Sequence, residues 1–285
     1  MIILKKVAEL SEFIEKVKKA KKTTGFVPTM GALHMGHISL INASKKESEI
    51  TVCSIFVNPT QFNNPSDFEK YPVTIESDID KLEESGCDVL FLPAVDEIYP
   101  PGLEFPYYHL GYLETLLEGE YRPGHYQGVC KVVDRLLTIV RPDILYLGQK
   151  DYQQCMVIKK MMQLRNIDAA IHIEKTVREN DGLAMSSRNA RLNEVERKQA
   201  VSIFETLSFI KNELKPGSLK EIKQKANTFL SGRGFKVDYV EIADALDLHI
   251  LNDWDAKTKP VILIAAYLDE VRLIDNFVLD EGLSI

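Results

Sequence analysis

The chain has little of what marks several large protein classes. Its four cysteines, Cys53, Cys87, Cys130 and Cys155, are scattered and form no C-x-x-C pair. That excludes a disulfide scaffold and leaves reduced thiols as the default. Long apolar runs are missing: Val261 to Leu268 is a strand's length, far below the roughly 20 residues of a membrane span. The opening Met1-Ile2-Ile3-Leu4-Lys5-Lys6 has too short an apolar run for a signal peptide. These features set the expectation of a cytoplasmic protein with no membrane partner. Positive charge is not in excess either. The formal net charge is −7, which argues against broad nucleic-acid binding but leaves room for a local basic pocket. There is no G-x-S-x-G, no G-x-x-x-x-G-K-[ST] and no G-x-G-x-x-G, and nothing supplies a covalent nucleophile paired with a base.

What remains is ordinary in bulk and specific in detail. The 285 residues are 45% hydrophobic and 27% charged, the profile of one large or two medium globular domains. Val7 to Lys22 has helical periodicity. Thr24–Val27, Glu49–Val57, Cys87–Leu92, Asp143–Leu147 and Ala169–Ile173 are apolar and β-branched, as in strands covered on both faces. Helical stretches fall between them, to about Lys46, over Ile75–Ser85, Gly124–Val140 and Tyr152–Arg165, while Pro93–Pro106 is irregular. This alternation predicts an α/β fold, a doubly wound parallel sheet with right-handed crossovers. Ligands in that class sit at the carboxyl ends of the strands, so the segments after Val27, Val57 and Leu147 are expected to share a crevice. After Val177 the pattern changes to a polar loop, two helices (about Asn193–Leu214 and Ser218–Leu230) and strands near Lys236–Ile242, Val261–Leu268 and Glu270–Ile274. The expected division is therefore 1–177, the sheet domain, and 178–285, a smaller C-terminal α+β domain.

The segment Gly25-Phe26-Val27-Pro28-Thr29-Met30-Gly31-Ala32-Leu33-His34-Met35-Gly36-His37 organises the first part. It reads as a strand ending at Pro28, a glycine turn and a helix with two histidines on one face. A helix start offers unpaired N–H groups and a positive dipole end to an anion. Two imidazoles there can hydrogen-bond to charge that develops on a phosphate. Buried structural histidines would satisfy the same spacing. Zinc needs three or four ligands, and no Cys or His cluster completes the pair. Met185-Ser186-Ser187-Arg188 offers two hydroxyls and a guanidinium for phosphate oxygens, though such a run is also an ordinary solvated loop. Lys150 follows Gly148 at a strand-to-helix turn and is a second candidate phosphate contact. Asp151 can cap its helix or hold a ribose hydroxyl. Gln61 and Gln154 suit a substrate with hydroxyls and a carboxylate if they face the crevice.

Pro28 to His37 resembles the HIGH signature of the nucleotidyltransferase superfamily, in the form found in the pantoate–β-alanine ligase (pantothenate synthetase) family. The same family is resembled by Phe56-Val57-Asn58-Pro59-Thr60-Gln61-Phe62, by Arg122-Pro123-Gly124-His125-Tyr126-Gln127-Gly128-Val129 and by Gly148-Gln149-Lys150-Asp151-Tyr152-Gln153-Gln154. Met185-Ser186-Ser187-Arg188-Asn189 looks like its form of the KMSKS signature. The matches run in order across most of the chain. One departure stands at Val73, after Tyr71-Pro72, where the family usually has arginine.

The resemblance implies ATP-dependent condensation of (R)-pantoate with β-alanine through an acyl adenylate, giving pantothenate, AMP and pyrophosphate. It implies catalytic roles for His34, His37, Lys150 and Arg188. ATP is then expected at Met30, Gly31, Ala32, Leu33, His34, Met35, Gly36 and His37, at Gly148, Gln149, Lys150 and Asp151, and at Val177, Met185, Ser186, Ser187 and Arg188. Pantoate is expected at Met30, Gln61 and Gln154, and β-alanine at Gln61. Mg²⁺ is the implied cofactor, with Asp78 at an acidic position placed near it. A Rossmann-like N-terminal domain, a C-terminal lid and a homodimer are also implied, with no nucleic-acid partner. Two other readings stay open: a nucleotidylyltransferase acting on a phosphorylated acceptor, which would want more cations, and a non-catalytic nucleotide sensor. Retention of both histidines, Lys150 and the Ser-Ser-Arg run speaks against the sensor.

Overall fold

The structure is a computed structural model that describes residues 1–63 and 65–279. It divides into two compact units, 1–149 with 153–177 and 150–152 with 178 onward.

The first unit alternates strands and helices: β1 (Ile2–Leu4), α1 (Val7–Lys19), β2 (Thr24–Thr29), α2 (Met35–Glu47), β3 (Ile50–Ile55), α3 (Pro65–Glu69), α4 (Ile75–Glu84), β4 (Val89–Phe91), α5 (Val95–Ile98), α6 (Glu118–Tyr121), α7 (His125–Val140), β5 (Ile144–Gly148), α8 (Tyr152–Arg165) and β6 (Ala170–Glu174). The six strands are parallel in the order β1-β4-β3-β2-β5-β6, an α/β sheet as expected. The order reverses between β2 and β5, the point where such sheets bind ligands beyond the strand ends. β2 leads into the histidine turn and β5 into the turn at Gln149–Asp151.

Several boundaries differ from the sequence reading for physical reasons. β2 continues through Pro28 to Thr29. Its pairing with β5 covers only Gly25 and Phe26, so a proline that lacks an N–H breaks no ladder bond on that side. The opening residues, read only as too short for a signal, form edge strand β1, which pairs with β4. The long helix expected over Asn193–Leu214 is two helices with Val201 between them.

Helix α2 buries Ile38, Leu40, Ile41, Ala43 and Ser44. Leu40, Ile41 and Ala43 join Val27, Leu33, Cys53, Ile55, Leu82 and Tyr146 in one apolar cluster. The histidine turn thus rests on a helix whose other face is anchored in the core, and Leu→Ala changes in such a site cost about 2–5 kcal/mol.

The second unit holds α9 (Glu194–Ala200), α10 (Ser202–Glu213), β7 (Gly217–Ser218), α11 (Lys220–Gly232), β8 (Lys236–Asp244), β9 (Asp253–Trp254), β10 (Pro260–Leu268) and β11 (Val271–Val278). β8, β10 and β11 form an antiparallel sheet in the order β11-β10-β8. Ile203, Leu207, Ile210, Leu230, Ile242, Ile262 and Ile264 share its core.

Candidate active site

The chain turns sharply after β2. Thr29 Oγ1 donates to the Ser54 carbonyl at 2.7 Å and accepts from the Gly31 N–H at 3.3 Å. Gly31 and Ala32 then both take left-handed conformations, φ +83° and +49°. A side chain at Gly31 would press on Asp78 Oδ2 and Ile55 Cγ2, and its positive φ favours glycine there on backbone grounds. This turn brings the N–H groups of Ala32 and Leu33 toward one place. The carboxylate of Asp78 fills it, accepting from Ala32 N–H at 2.9 Å and Leu33 N–H at 2.8 Å. Thr74 Oγ1 adds a third donor at 3.1 Å.

His34 is the N-cap of α2. Its Nδ1 accepts from Gly36 N–H at 3.1 Å, and its own N–H donates to His37 Nδ1 at 3.3 Å. This is a capping box built from two imidazoles. The rings lie 4.1 Å apart, tilted by 40°. With Nδ1 accepting in both rings, the ring proton sits on Nε2.

Most backbone N–H groups around this helix start are taken up within the chain. The N–H groups of Ala32, Leu33, Gly36 and His37 all have acceptors within the chain. With both Nδ1 atoms accepting, each ring's remaining donor is its Nε2–H. The zinc alternative loses both Nδ1 atoms, and among the described residues no group of three His, Cys, Asp or Glu side chains could hold a metal.

The second strand end builds a polar platform. Asn58 is 1% exposed. Its Nδ2 donates to Gln61 Oε1 at 3.0 Å and to the Gly128 carbonyl at 3.1 Å, while its Oδ1 accepts from Tyr99 Oη at 2.9 Å. Gln61 Nε2 reaches Met30 Sδ at 3.1 Å, and His125 Nδ1 meets the Gln61 carbonyl at 2.8 Å. A side chain at Gly128 would strike the Thr60 carbonyl, so only glycine lets α7 approach the turn at Pro59–Gln61. Met30 and Gln61, two of the three residues expected at pantoate, are therefore in contact. Gln153 is buried and bonds Glu118 N–H and the Leu113 and Leu116 carbonyls, a packing role. Its neighbour Gln154 is half-buried.

In the second unit Lys150 lies in the 3-10 turn Gln149–Asp151, and Asp151 is exposed. The Lys150 carbonyl accepts from Asn276 Nδ2 at 2.9 Å. Ser186 caps the 3-10 turn Ser187–Arg191 by accepting from the Arg188 N–H at 3.3 Å, and Met185, Ser186, Ser187 and Arg188 are all half-buried. A groove of ≈ 660 Å³ along α8 and β6, lined by residues including Cys155, Lys159, Met162 and Ile171, contains none of the expected ligand residues.

Comparison with known proteins decides the family. The family described as Pantoate-beta-alanine ligase matches residues 2–278. The chain belongs to the pantoate–β-alanine ligase family. Members of this family are ligases that form a C–N bond. A pantothenate synthetase of Azobacteroides pseudotrichonymphae genomovar. CFP2 is 44% identical over 278 residues, 97% of this chain and 99% of that protein. The crystal structure of pantothenate synthetase from Thermus thermophilus superposes with a TM-score of 0.90 at 38% identity, covering 98% of this chain and 99% of the other. The pantoate–β-alanine ligase of Francisella tularensis, complexed with β,γ-ATP and β-alanine, gives 0.81 at 38% identity and 99% of both chains. No helix among the described residues of this ligase family member is long and apolar enough to cross a membrane.

Some residues that shape these sites were not singled out by sequence reasoning. Asn58, His125 and Gly128 lie inside segments quoted for their resemblance, but nothing in their spacing revealed that they hold Gln61. Val73, the departure from the family pattern, is 67% exposed. Asp78 was expected near magnesium. Its carboxylate accepts two backbone N–H groups and a hydroxyl and is 0% exposed, which makes it a support of the histidine turn.

Proposed function

We propose that this ligase condenses (R)-pantoate with β-alanine in an ATP-dependent reaction through an enzyme-bound pantoyl adenylate. The observation that carries the reading is the imidazole pair at the start of α2, both rings held with Nε2–H as donor. A carboxylate is a poor electrophile, so activation comes first. A pantoate carboxylate oxygen bonds to the α-phosphorus as the bond to pyrophosphate breaks. Negative charge grows on the non-bridging oxygens during that step. His34, His37 and Lys150 are the donors proposed to meet it. Ser186, Ser187 and Arg188 are proposed to hold the phosphate chain, with Arg188 suited by its forked guanidinium.

Met30, Gln61 and Gln154 are proposed to receive pantoate, whose hydroxyls and carboxylate match an amide that donates and accepts. The β-alanine amine, with Gln61 beside it, then attacks the activated carbonyl. AMP leaves with the bonding electrons and the amine loses its proton. The remaining proposed adenine, ribose and phosphate contacts are Gly31 to Leu33, Met35, Gly36, Gly148, Gln149, Asp151, Val177 and Met185. Residues 178–285 are proposed as a lid domain, the assembly as a homodimer and the compartment as the cytoplasm.

Magnesium enters as the counter-ion of the ATP phosphates. Mg²⁺ in ATP-using sites is held by one or two carboxylates together with phosphates. Asp78 would supply one; its carboxylate also accepts from three donors of the histidine turn, and no step is assigned to the ion.

The test is pyrophosphate release. With ATP, magnesium and pantoate but no β-alanine, about one pyrophosphate per site should appear quickly and then stop, because the intermediate stays bound. Adding β-alanine should restart turnover with equal AMP and pantothenate. Release of the terminal phosphate alone, or pyrophosphate release without pantoate, would overturn the adenylate reading.

A further inference from the structure

The second unit contains a buried polar frame that the reaction as proposed leaves unused. Asp275 and Asn276 are adjacent on β11 and are 4% and 1% exposed. Arg178 grips Asp275 with both arms, Nη1 to Oδ2 at 2.6 Å and Nη2 to Oδ1 at 3.0 Å. Its guanidinium lies 5.0 Å from the Phe204 ring centre and 4.7 Å from that of Phe277. Those faces fix the fork and shield the pair. Burial pushes the Asp275 carboxyl above its ordinary range, with Arg178 pulling the other way.

The frame has two outputs. Arg178 Nη1 also donates to the Gly182 carbonyl at 3.0 Å, and Arg178 bridges Ala184 across a tight hairpin. Asn189 Nδ2 donates to the Ala184 carbonyl at 3.0 Å. The hairpin so closed runs directly into Met185–Arg188, and the turn Ser187–Arg191 packs against β11. The other output is Asn276. Its N–H donates to Asp275 Oδ1 at 2.8 Å and its carbonyl accepts from Arg178 Nη2 at 3.3 Å. Its Nδ2 donates to the Lys150 carbonyl at 2.9 Å. Lys150–Tyr152 are tied to the same unit a second time by Tyr152 Oη, which donates to the Ala245 carbonyl at 2.6 Å.

We propose that Asn276 is a positioning residue for Lys150, and that the Arg178–Asp275–Asn276 frame sets Lys150 and the Ser186–Arg188 run in one geometry. The inference rests on the reading that both meet the phosphates of ATP. Lysine carries its charge on a flexible four-carbon stem, so the place of its ammonium depends on how firmly the backbone beneath it is held. Asn276 holds that backbone at its carbonyl. Its neighbour on β11, Asp275, holds through Arg178 the hairpin that carries the serines and Arg188. One strand end therefore fixes two phosphate-binding groups that lie 36 or more residues apart in the chain.

The test is a double-mutant cycle on the full chain, read by pantoate-dependent ATP–pyrophosphate exchange. A displacement of about 1 Å of a reacting group can cost as much as about 10²-fold, so Asn276→Ala should slow adenylation by about 10- to 100-fold with the KM for β-alanine unchanged. In a Lys150→Ala background the same change should slow it by less than about 2-fold, since residues that act through one another are non-additive. Equal losses in both backgrounds would mean a general structural role and would overturn the inference. So would unchanged exchange in Asn276→Ala while Lys150→Ala is slow, which would leave the phosphate role of Lys150 standing. Unchanged exchange in Lys150→Ala itself would overturn both. Where Asn276→Ala fails to fold by near-UV circular dichroism, Asn276→Gln, with the same donor on a longer arm, takes its place in the cycle.

Discussion

The histidine turn and the Ser-Ser-Arg hairpin are both proposed to meet negative charge, yet they are held by opposite means. At the turn, backbone N–H groups close on a single buried carboxylate, Asp78, and the rings are set by two more backbone N–H groups. The geometry there comes from the chain's own amides. At the hairpin, a guanidinium clasped by Asp275 and faced by two phenyl rings carries the geometry. The first arrangement is stiff because short backbone segments are pinned at their amides. The second is an ion pair out of water, which is costly to break and sensitive to either partner. The difference predicts that the turn fails by losing acceptors and the hairpin by losing charge.

The sharpest way to break the comparison is Asp78→Ala. It takes from the Ala32 and Leu33 N–H groups their carboxylate acceptor, at about 1–3 kcal/mol each, so a loss of about 2–6 kcal/mol in unfolding free energy is expected. Asp78→Asn keeps one acceptor oxygen and should lose less. Denaturant unfolding checks both. If Asp78 were instead a metal ligand with no structural role, Asp78→Ala would unfold like the wild type and lose only magnesium-dependent activity.

Asp78 also shows where the sequence reading stopped. The turn itself was legible, because Gly31, the two histidines and the strand before them lie within 14 consecutive residues and carry local rules. That a carboxylate more than 40 residues downstream fills the turn was not, since helix Ile75–Ser85 is acidic along its length and no spacing rule selects Asp78. The α/β order of the first part was readable from its buried, apolar strands. β1 was missed because three residues carry too little pattern, and its strand character comes from pairing with β4. Arg178, Asp275 and Asn276 meet only once β11 forms, so no local signal marked them, although Arg178 was read as part of a polar loop.

A smaller but more direct test concerns the imidazoles. Each Nε2–H is proposed to meet charge that grows only in the transition state. His34→Ala and His37→Ala should each cost about 10²–10³ in the adenylation rate, or about 2.7–4 kcal/mol, with pantoate affinity little changed. The two should differ in stability. His34 is the N-cap, and replacing a cap by alanine costs about 0.5–2 kcal/mol, whereas His37 in the first turn supplies an acceptor to one backbone N–H. Single-turnover rates and thermal unfolding of both variants separate the chemical effect from the capping effect. Melting points equal to the wild type with slowed rates would show that the capping box contributes nothing, and the comparison of rigid turn with charged hairpin would lose its first half.

The smallest effect lies at the hairpin's outer edge, where Arg197 Nη1 and Nη2 reach Asp181 Oδ2 and Oδ1 at 2.8 and 3.2 Å. The hydrogen-bonded guanidinium holds the Asp181 carboxyl below its ordinary value. A folded-state value depressed below the unfolded one means that the stabilisation is present at higher pH. It is complete above the unfolded aspartate value of about 3.9 and fades as pH falls through that value toward the lower folded one. The Asp181 side chain is 44% exposed, so solvent screening limits the pair to about 0.2–1 kcal/mol. Asp181→Asn should therefore lower stability by that amount between about pH 5 and 8, and the gap between variant and wild type should close below about pH 4. High salt should narrow it at every pH, since exposed charges are screened. The Asp275 pair beneath, being buried, should respond to salt far less. A gap that stays constant from about pH 8 down to about pH 3, where the carboxylate is largely protonated in the unfolded chain, would mean that Asp181 supports the hairpin through its bond to the Leu183 N–H, with charge playing no part at this edge.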